Sequence, residues 1–198
     1  MSLKHPRVVV ELGMGDGRLL CQLSRDEQNL DTQFIGIEID TTLYKEAMNR
    51  IRAENVALIN DHFENTINGF GSETLDQVIM ILPDPMYIDY HYYEHWVKVY
   101  STIFLKLKKL GILEIVTEII DELLEPVSDI RYRTWGNWLL ETFIKMGFGV
   151  KEILNEAPPC YSSTCLDRFR GDPKRIRIIT LRLFKPLSNR NGCTLVGN

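Results

Sequence analysis

Three glycines spaced two apart, Gly13, Gly15 and Gly17, share the stretch Glu11-Leu12-Gly13-Met14-Gly15-Asp16-Gly17 with two carboxylates. Glycine takes positive φ freely and lets a ligand approach without a Cβ in the way. Where such a turn opens a helix, the unpaired N–H groups of the helix start face the same ligand. The dinucleotide fingerprint spaces its glycines G-x-G-x-x-G and lays a pyrophosphate there. Here the spacing differs, and Glu11 and Asp16 are poor neighbours for a pyrophosphate but good ones for a cation. Taken alone, the three glycines fit an ordinary glycine-rich turn equally well.

Glu38 adds a second feature. It lies in the apolar run Phe34-Ile35-Gly36-Ile37-Glu38-Ile39, 21 residues beyond Gly17. An acid about 20 residues past a glycine turn, at the end of the second strand, is where a ribose diol is gripped. By itself Glu38 is a solvated strand-end acid. Joined to the turn, it points to a nucleoside that carries positive charge. S-adenosylmethionine (SAM), with a sulfonium and an ammonium, is such a ligand.

Two further acids stand at strand ends. Asp61 follows Val56-Ala57-Leu58-Ile59-Asn60, where it could accept from an adenine amine or cap the next turn. Asp84 is fixed between Pro83 and Pro85 after the most apolar run, Val78 to Leu82. Ligands of open parallel sheets bind beyond the carboxyl ends of the strands, which is where Asp84 falls. The alternative is a proline turn with a solvated aspartate. The rings that follow, Tyr87, Tyr90, His91, Tyr92, Tyr93, His95 and Trp96, could stack on a flat base or cover the sheet. Lone histidines make no metal site, and none is expected.

These residues need a sheet to position them. Val8 to Val10 read as a buried parallel strand, followed by a helix from Arg18. Thr41 or Thr42 caps a helix to about Ala53. A helix carrying Trp96, Val97, Tyr100, Phe104 and Leu107 closes over Lys106 to Lys109, with Gly111 ending it. Ile112 to Val116 form a fifth strand, a helix covers 134–146, and Phe148 to Leu154 form the sixth. A loop spans 155–175, and Ile176 to Phe184 alternate as a half-exposed antiparallel strand. The fold class is therefore α/β: a doubly wound, mostly parallel seven-stranded sheet with an antiparallel C-terminal hairpin. Residues 1–187 form a single domain and 188–198 a disordered tail.

At 198 residues, 44% apolar and 25% charged, the composition is that of an ordinary soluble domain. Nothing reads as a membrane span or a secretory signal. The four cysteines (Cys21, Cys160, Cys165, Cys193) form no CxxC pair. A reducing cytoplasm is the expected setting, as a monomer or homodimer. A net charge of −4 argues against bulk nucleic-acid binding. Yet Arg168, Arg170, Lys174, Arg175, Arg177, Arg182 and Lys185 crowd the last segment, either as a phosphate-gripping patch or as a solvated charged hairpin.

Almost the whole chain, to about Lys185, resembles a class I (Rossmann-like) SAM-dependent methyltransferase. More narrowly, Glu11 to Gly17, Gly36-Ile37-Glu38-Ile39 and Leu82-Pro83-Asp84-Pro85 resemble the bacterial single-subunit tRNA (guanine-N7)-methyltransferases, with their E-I-G-F-G-x-G, G-x-E and F-P-D-P-W motifs. Thr117-Glu118 stands for the family's T-D pair, and Thr164-Cys165-Leu166-Asp167 for its T-K/R-F/Y-E motif. The resemblance implies Glu11, Glu38 and Asp61 as SAM contacts beside the glycines. It implies Asp84 as the residue nearest catalysis, and Glu118, Thr164 and Asp167 near a guanosine of tRNA. After P-D-P the family carries tryptophan and a basic run; this chain has Met86-Tyr87-Ile88-Asp89-Tyr90-His91. Two other functions stay open: a methyltransferase acting on rRNA or a small molecule, and a catalytically silent SAM-fold subunit.

Overall fold

The computed structural model describes residues 6–121, 123 and 125–187. The expected disordered tail, 188–198, lies outside the described residues. The chain alternates strand and helix: β1 (Arg7–Leu12), α1 (Arg18–Leu23), β2 (Thr32–Ile37), α2 (Thr41–Arg50), β3 (Val56–Ile59), α3 (Phe63–Gly69), β4 (Leu75–Ile81), α4 (Tyr93–Lys106), β5 (Leu107–Ile120), α5 (Asp129–Lys145), β6 (Gly149–Leu154), α6 (Thr164–Arg170) and β7 (Ile176–Phe184). The seven strands lie in the order β3-β2-β1-β4-β5-β7-β6, and only β7 runs against its neighbours. This is the doubly wound, mostly parallel sheet that the apolar runs predict.

Each face of the sheet has its own core. On one, Trp96, Tyr100 and Ile103 of α4 and Leu139 and Phe143 of α5 pack on Val10, Val78, Leu113 and Ile115. On the other, Leu19 and Leu20 of α1, Ala47 of α2 and Leu166 of α6 pack on Val9, Phe34, Ile79 and Val116. Both sides of β1, β4 and β5 are thus apolar, which is why these strands read as continuous hydrophobic runs. Trp96 illustrates the packing. It is wholly buried, donates Nε1–H to the Asp89 carbonyl at 2.8 Å, and meets the Tyr100 and Trp138 rings edge-on.

Several boundaries differ from the sequence reading. α2 is capped by Asp40, whose carboxylate accepts from the Thr42 and Leu43 N–H groups, so neither threonine is the cap. α4 stops at Lys106, and Lys108 and Lys109 lie in β5 instead of in a helical turn. Gly111 is no helix stop. A Cβ there would lie 2.8 Å from the Lys108 carbonyl oxygen and 3.0 Å from that of Leu75. The irregularity between β4 and β5 presses two backbones together at this point, and only glycine fits. α5 begins five residues earlier than expected, where Ser128 accepts from Arg131 N–H. α3 and α6 are short helices in stretches read as turn and loop; Ser163 caps α6.

Candidate active site

Parallel strands deliver their carboxyl ends to one edge, and the predicted acids follow those ends. β2 ends at Ile37, one residue before Glu38, and β3 ends at Ile59, two before Asp61. β4 ends at Ile81. Leu82 then takes a left-handed φ of 50°, and its N–H is held by the Val116 carbonyl at 2.7 Å. A non-glycine residue in that region is strained, and it turns the chain sharply into Pro83-Asp84-Pro85. The result is one cavity of about 280 Å³, into which Gly13, Glu38, Asp61 and Asp84 all face. Its other walls are Ile37, Leu82, Tyr87 and their neighbours.

The glycine turn is laced to β2. Gly13 and Met14 both donate N–H to the Ile37 carbonyl, and Gly15 donates to Glu38 Oε2 at 2.8 Å. The other Glu38 oxygen accepts from Asp40 N–H at 2.8 Å. Gly13 and Gly15 have φ of 71° and 56°, and a Cβ on either would meet nothing within 4 Å. These two glycines therefore serve the turn's conformation and leave open space above it. Gly17, at φ 74°, has a packing reason as well, since a Cβ there would lie 2.8 Å from Ala47 Cβ.

Glu11 is 2% exposed and does not line the cavity. It lies on the Val9 side of β1, the side covered by α1, and its Oε2 is buried with no hydrogen-bond partner. Burial, then the charges of Asp16 and Glu38, push its carboxyl well above the usual range. Asp16, read from the sequence as part of the acidic surroundings, is ion-paired: Arg18 Nε stands 2.9 Å and Arg50 Nη2 3.3 Å from its carboxylate.

Asp61 and Asp84 are exposed. Asp61 takes hydrogen bonds from His62 N–H and the Asn65 amide, which hold its carboxyl below the ordinary value. Asp84 Oδ1 accepts from Met86 N–H at 3.0 Å, capping the short turn Pro85–Tyr87. The three residues assigned to the guanosine stand apart from the cavity. Glu118, near the end of β5, is mostly buried with Oε2 unpartnered, and burial raises its carboxyl to about 7. Thr164 opens α6 in solvent. Asp167 is bound by Arg18 at 3.2 Å and by Ser162 at 3.1 Å, so Arg18 bridges α6 to the glycine turn.

The sequence reading missed a wall of this site. His62 and Phe63, at the start of α3, pack against Tyr87, with 4.7 Å between the Phe63 and Tyr87 ring centres. The Tyr87 hydroxyl donates to Glu64 Oε1 at 2.9 Å, and burial keeps that phenol protonated. The signal was positional: His62 and Phe63 directly follow a strand-end acid. No group of three His, Cys, Asp or Glu side chains able to hold a metal occurs among the described residues.

The basic segment is largely spent internally. Arg170 donates to the carbonyls of Tyr161 and Pro158, Arg175 pairs with Asp172, and Arg177 pairs with Asp129. Arg182 pairs with Glu114 and Glu152, and Lys185 with Glu73. Of the seven, only the Arg168 and Lys174 side chains lack an ion pair or hydrogen bond among the described residues. The charged-hairpin reading describes this segment better than a phosphate patch does.

The profile of a family described as "Putative methyltransferase", that of the tRNA guanine-N7 methyltransferases, matches residues 5–132. The chain belongs to that family. Solved structures agree on the fold. A protein of Listeria monocytogenes titled "putative S-adenosylmethionine dependent methyltransferase" superposes with a TM-score of 0.64 at 15% identity, over 92% of both chains. The [4+2]-cyclase SpnF gives 0.64 at 17% identity, over 93% of this chain and 77% of its own. Phosphoethanolamine N-methyltransferase 2 of Haemonchus contortus, solved with SAM, gives 0.63 at 15%, over 93% and 50%. No curated protein sequence matches the chain. By family and fold this is a SAM-dependent methyltransferase.

Proposed function

We propose that this methyltransferase transfers the SAM methyl group to guanine N7 in tRNA. One observation carries the reading: four strand ends place Gly13, Glu38, Asp61 and Asp84 around a single cavity. The residues fit SAM on structural grounds. The space above Gly13 and Gly15 is open, and the Glu38 carboxylate, anchored by two backbone N–H groups, keeps lone pairs for a ribose diol. Asp61 would accept from the adenine amine. Glu11, buried behind the turn and outside the cavity lining, would act on a bound cation through its charge and not by contact.

SAM, when bound, would supply an electrophilic methyl group, the bonding electron pair staying on sulfur in the thioether product. The protein's task is alignment, since guanine N7 has an exposed lone pair and needs no general base. Holding N7 at near-attack distance, about 3 Å, from the group to be transferred would be the main contribution of the cavity walls. The new bond leaves positive charge spread over the purine. A carboxylate fixed nearby stabilises that charge as it grows. Asp84, pinned between prolines at the cavity wall, serves this role and can also accept from the guanine N1–H and amine. The base must leave its stack to enter. Glu118, Thr164 and Asp167 then supply outer contacts, and the setting is cytoplasmic tRNA processing.

Incubation with labelled SAM and separate pools of unmodified tRNA, rRNA and small metabolites, followed by mass spectrometry of the nucleosides, tests the assignment. Label in 7-methylguanosine from the tRNA pool is the expected result. The internal pairing of the basic segment favours the small-molecule alternative, and label confined to the rRNA or the metabolite pool would overturn the tRNA assignment.

A further inference from the structure

The face of the molecule next to the cavity is aromatic and unusually open. Tyr90, Tyr92 and Tyr93 are 67%, 52% and 40% exposed, and they rim a concavity of about 790 Å³ completed by Trp138, Glu141 and His95. Rings left in water cost solvation, and a contiguous cluster of them marks a contact surface. Tyr90 is held in place despite its exposure. His91 and Trp138 stand steeply tilted to it, with ring centres 5.8 and 5.7 Å away. Trp138 is itself anchored edge-on to the buried Trp96.

We propose that this concavity binds a second unpaired base of the RNA substrate, stacked on Tyr90 and its neighbours. The inference rests on the RNA reading above and names how that substrate is gripped. Two observations select a base as occupant. The concavity adjoins the proposed active site: Tyr87 lines one and His95 the other, with 5.5 Å between their ring centres. Its charged and titratable groups are Glu94, Glu141, Lys145, His91 beside Asp89 and His95 beside Glu64, a set that offers phosphate little, so a nucleotide would engage it through its base. Base stacking tolerates this, because every base presents a π-face. The Glu141 carboxylate, one helical turn from Trp138, would accept from an exocyclic amine.

The test compares Tyr90→Ala, Tyr90→Phe and the Tyr90→Ala/Tyr92→Ala pair with the wild-type chain, on an unmodified tRNA transcript. Loss of the Tyr90 ring should raise KM for the transcript about tenfold, the scale of one stacked base. The rate at saturating transcript should stay within about twofold, and SAM affinity by calorimetry should not move. Tyr90→Phe keeps the π-face and should behave as wild type. A double-alanine variant with wild-type KM overturns the inference and leaves the methyltransferase reading intact. A Tyr90→Phe variant as weak as Tyr90→Ala also overturns it, because the hydroxyl and not the ring would then matter. No transfer to any RNA by the wild-type chain overturns the reading on which it rests.

Discussion

The Glu38 carboxylate accepts the Gly15 N–H at 2.8 Å, so a strand-end acid clasps a glycine turn 23 residues away in sequence. The same carboxylate is the proposed ribose acceptor, which couples the shape of the turn to cofactor binding. Glu38→Ala should weaken SAM binding roughly 10- to 100-fold, as expected for loss of hydrogen bonds to a charged group. Calorimetry checks this, and unchanged affinity would remove Glu38 from the ribose role.

Gly13→Ala and Gly17→Ala should separate binding from folding. At Gly13 the added methyl enters open space and costs only the left-handed strain, about 1–2 kcal/mol, while blocking the cofactor. At Gly17 the same strain is joined by a collision with Ala47 in α2. Thermal melts should show the larger drop for Gly17→Ala, and SAM titration should show loss of binding in a folded Gly13→Ala.

Asp84→Ala should abolish methyl transfer while leaving SAM binding near wild type. The change also removes a cap to Met86 N–H, worth about 1 kcal/mol. Asp84→Asn keeps an acceptor for that cap but not the charge. If Asp84→Asn turns over normally, the electrostatic role is wrong.

SAM affinity should fall as pH is lowered. Burial, Asp16 and Glu38 keep the Glu11 carboxyl protonated beyond the ordinary carboxylate range. A cation beside it favours the ionised form, so binding must expel a proton wherever Glu11 is protonated. Titrations in buffers of different ionisation enthalpy should register that proton. In Glu11→Gln both the proton release and the pH slope should vanish.

Glu118 makes the protein less stable as pH rises. Its native carboxyl titrates at about 7, against 4.5 in an unfolded chain. Between those values the unfolded state binds fewer protons, so stability declines across that window and is flat on either side. The total reaches about 3 kcal/mol at most. Glu118→Gln should lack the decline, and urea unfolding of both proteins at several pH values measures the difference.

The strand-end acids were legible because each follows an apolar run that only a buried strand explains: Glu38 after Phe34 to Ile37, Asp84 after Val78 to Leu82. Asp84 also announced itself through its flanking prolines. The start of β5 was not legible. Leu107-Lys108-Lys109-Leu110 satisfies helical and strand spacing alike, and the choice is made by pairing with Leu75 and by the Leu110 N–H bonding the Lys185 carbonyl. Both are long-range contacts. The fate of the basic segment was equally hidden, since Glu114 and Asp129, which neutralise Arg182 and Arg177, lie far from them in sequence. α6 escaped notice because it buries a single side chain, Leu166.

The placement of β7 between β5 and β6 sets an order of assembly. The five strands β1 to β5 can pair as soon as they leave the ribosome, but β6 emerges with no partner to join. It must wait until Ile176 to Phe184 have been synthesised and inserted. A chain stalled before Ile176 would carry an unsatisfied β5 margin, open to pairing with another nascent chain. Maturation of this enzyme is therefore decided by its final strand.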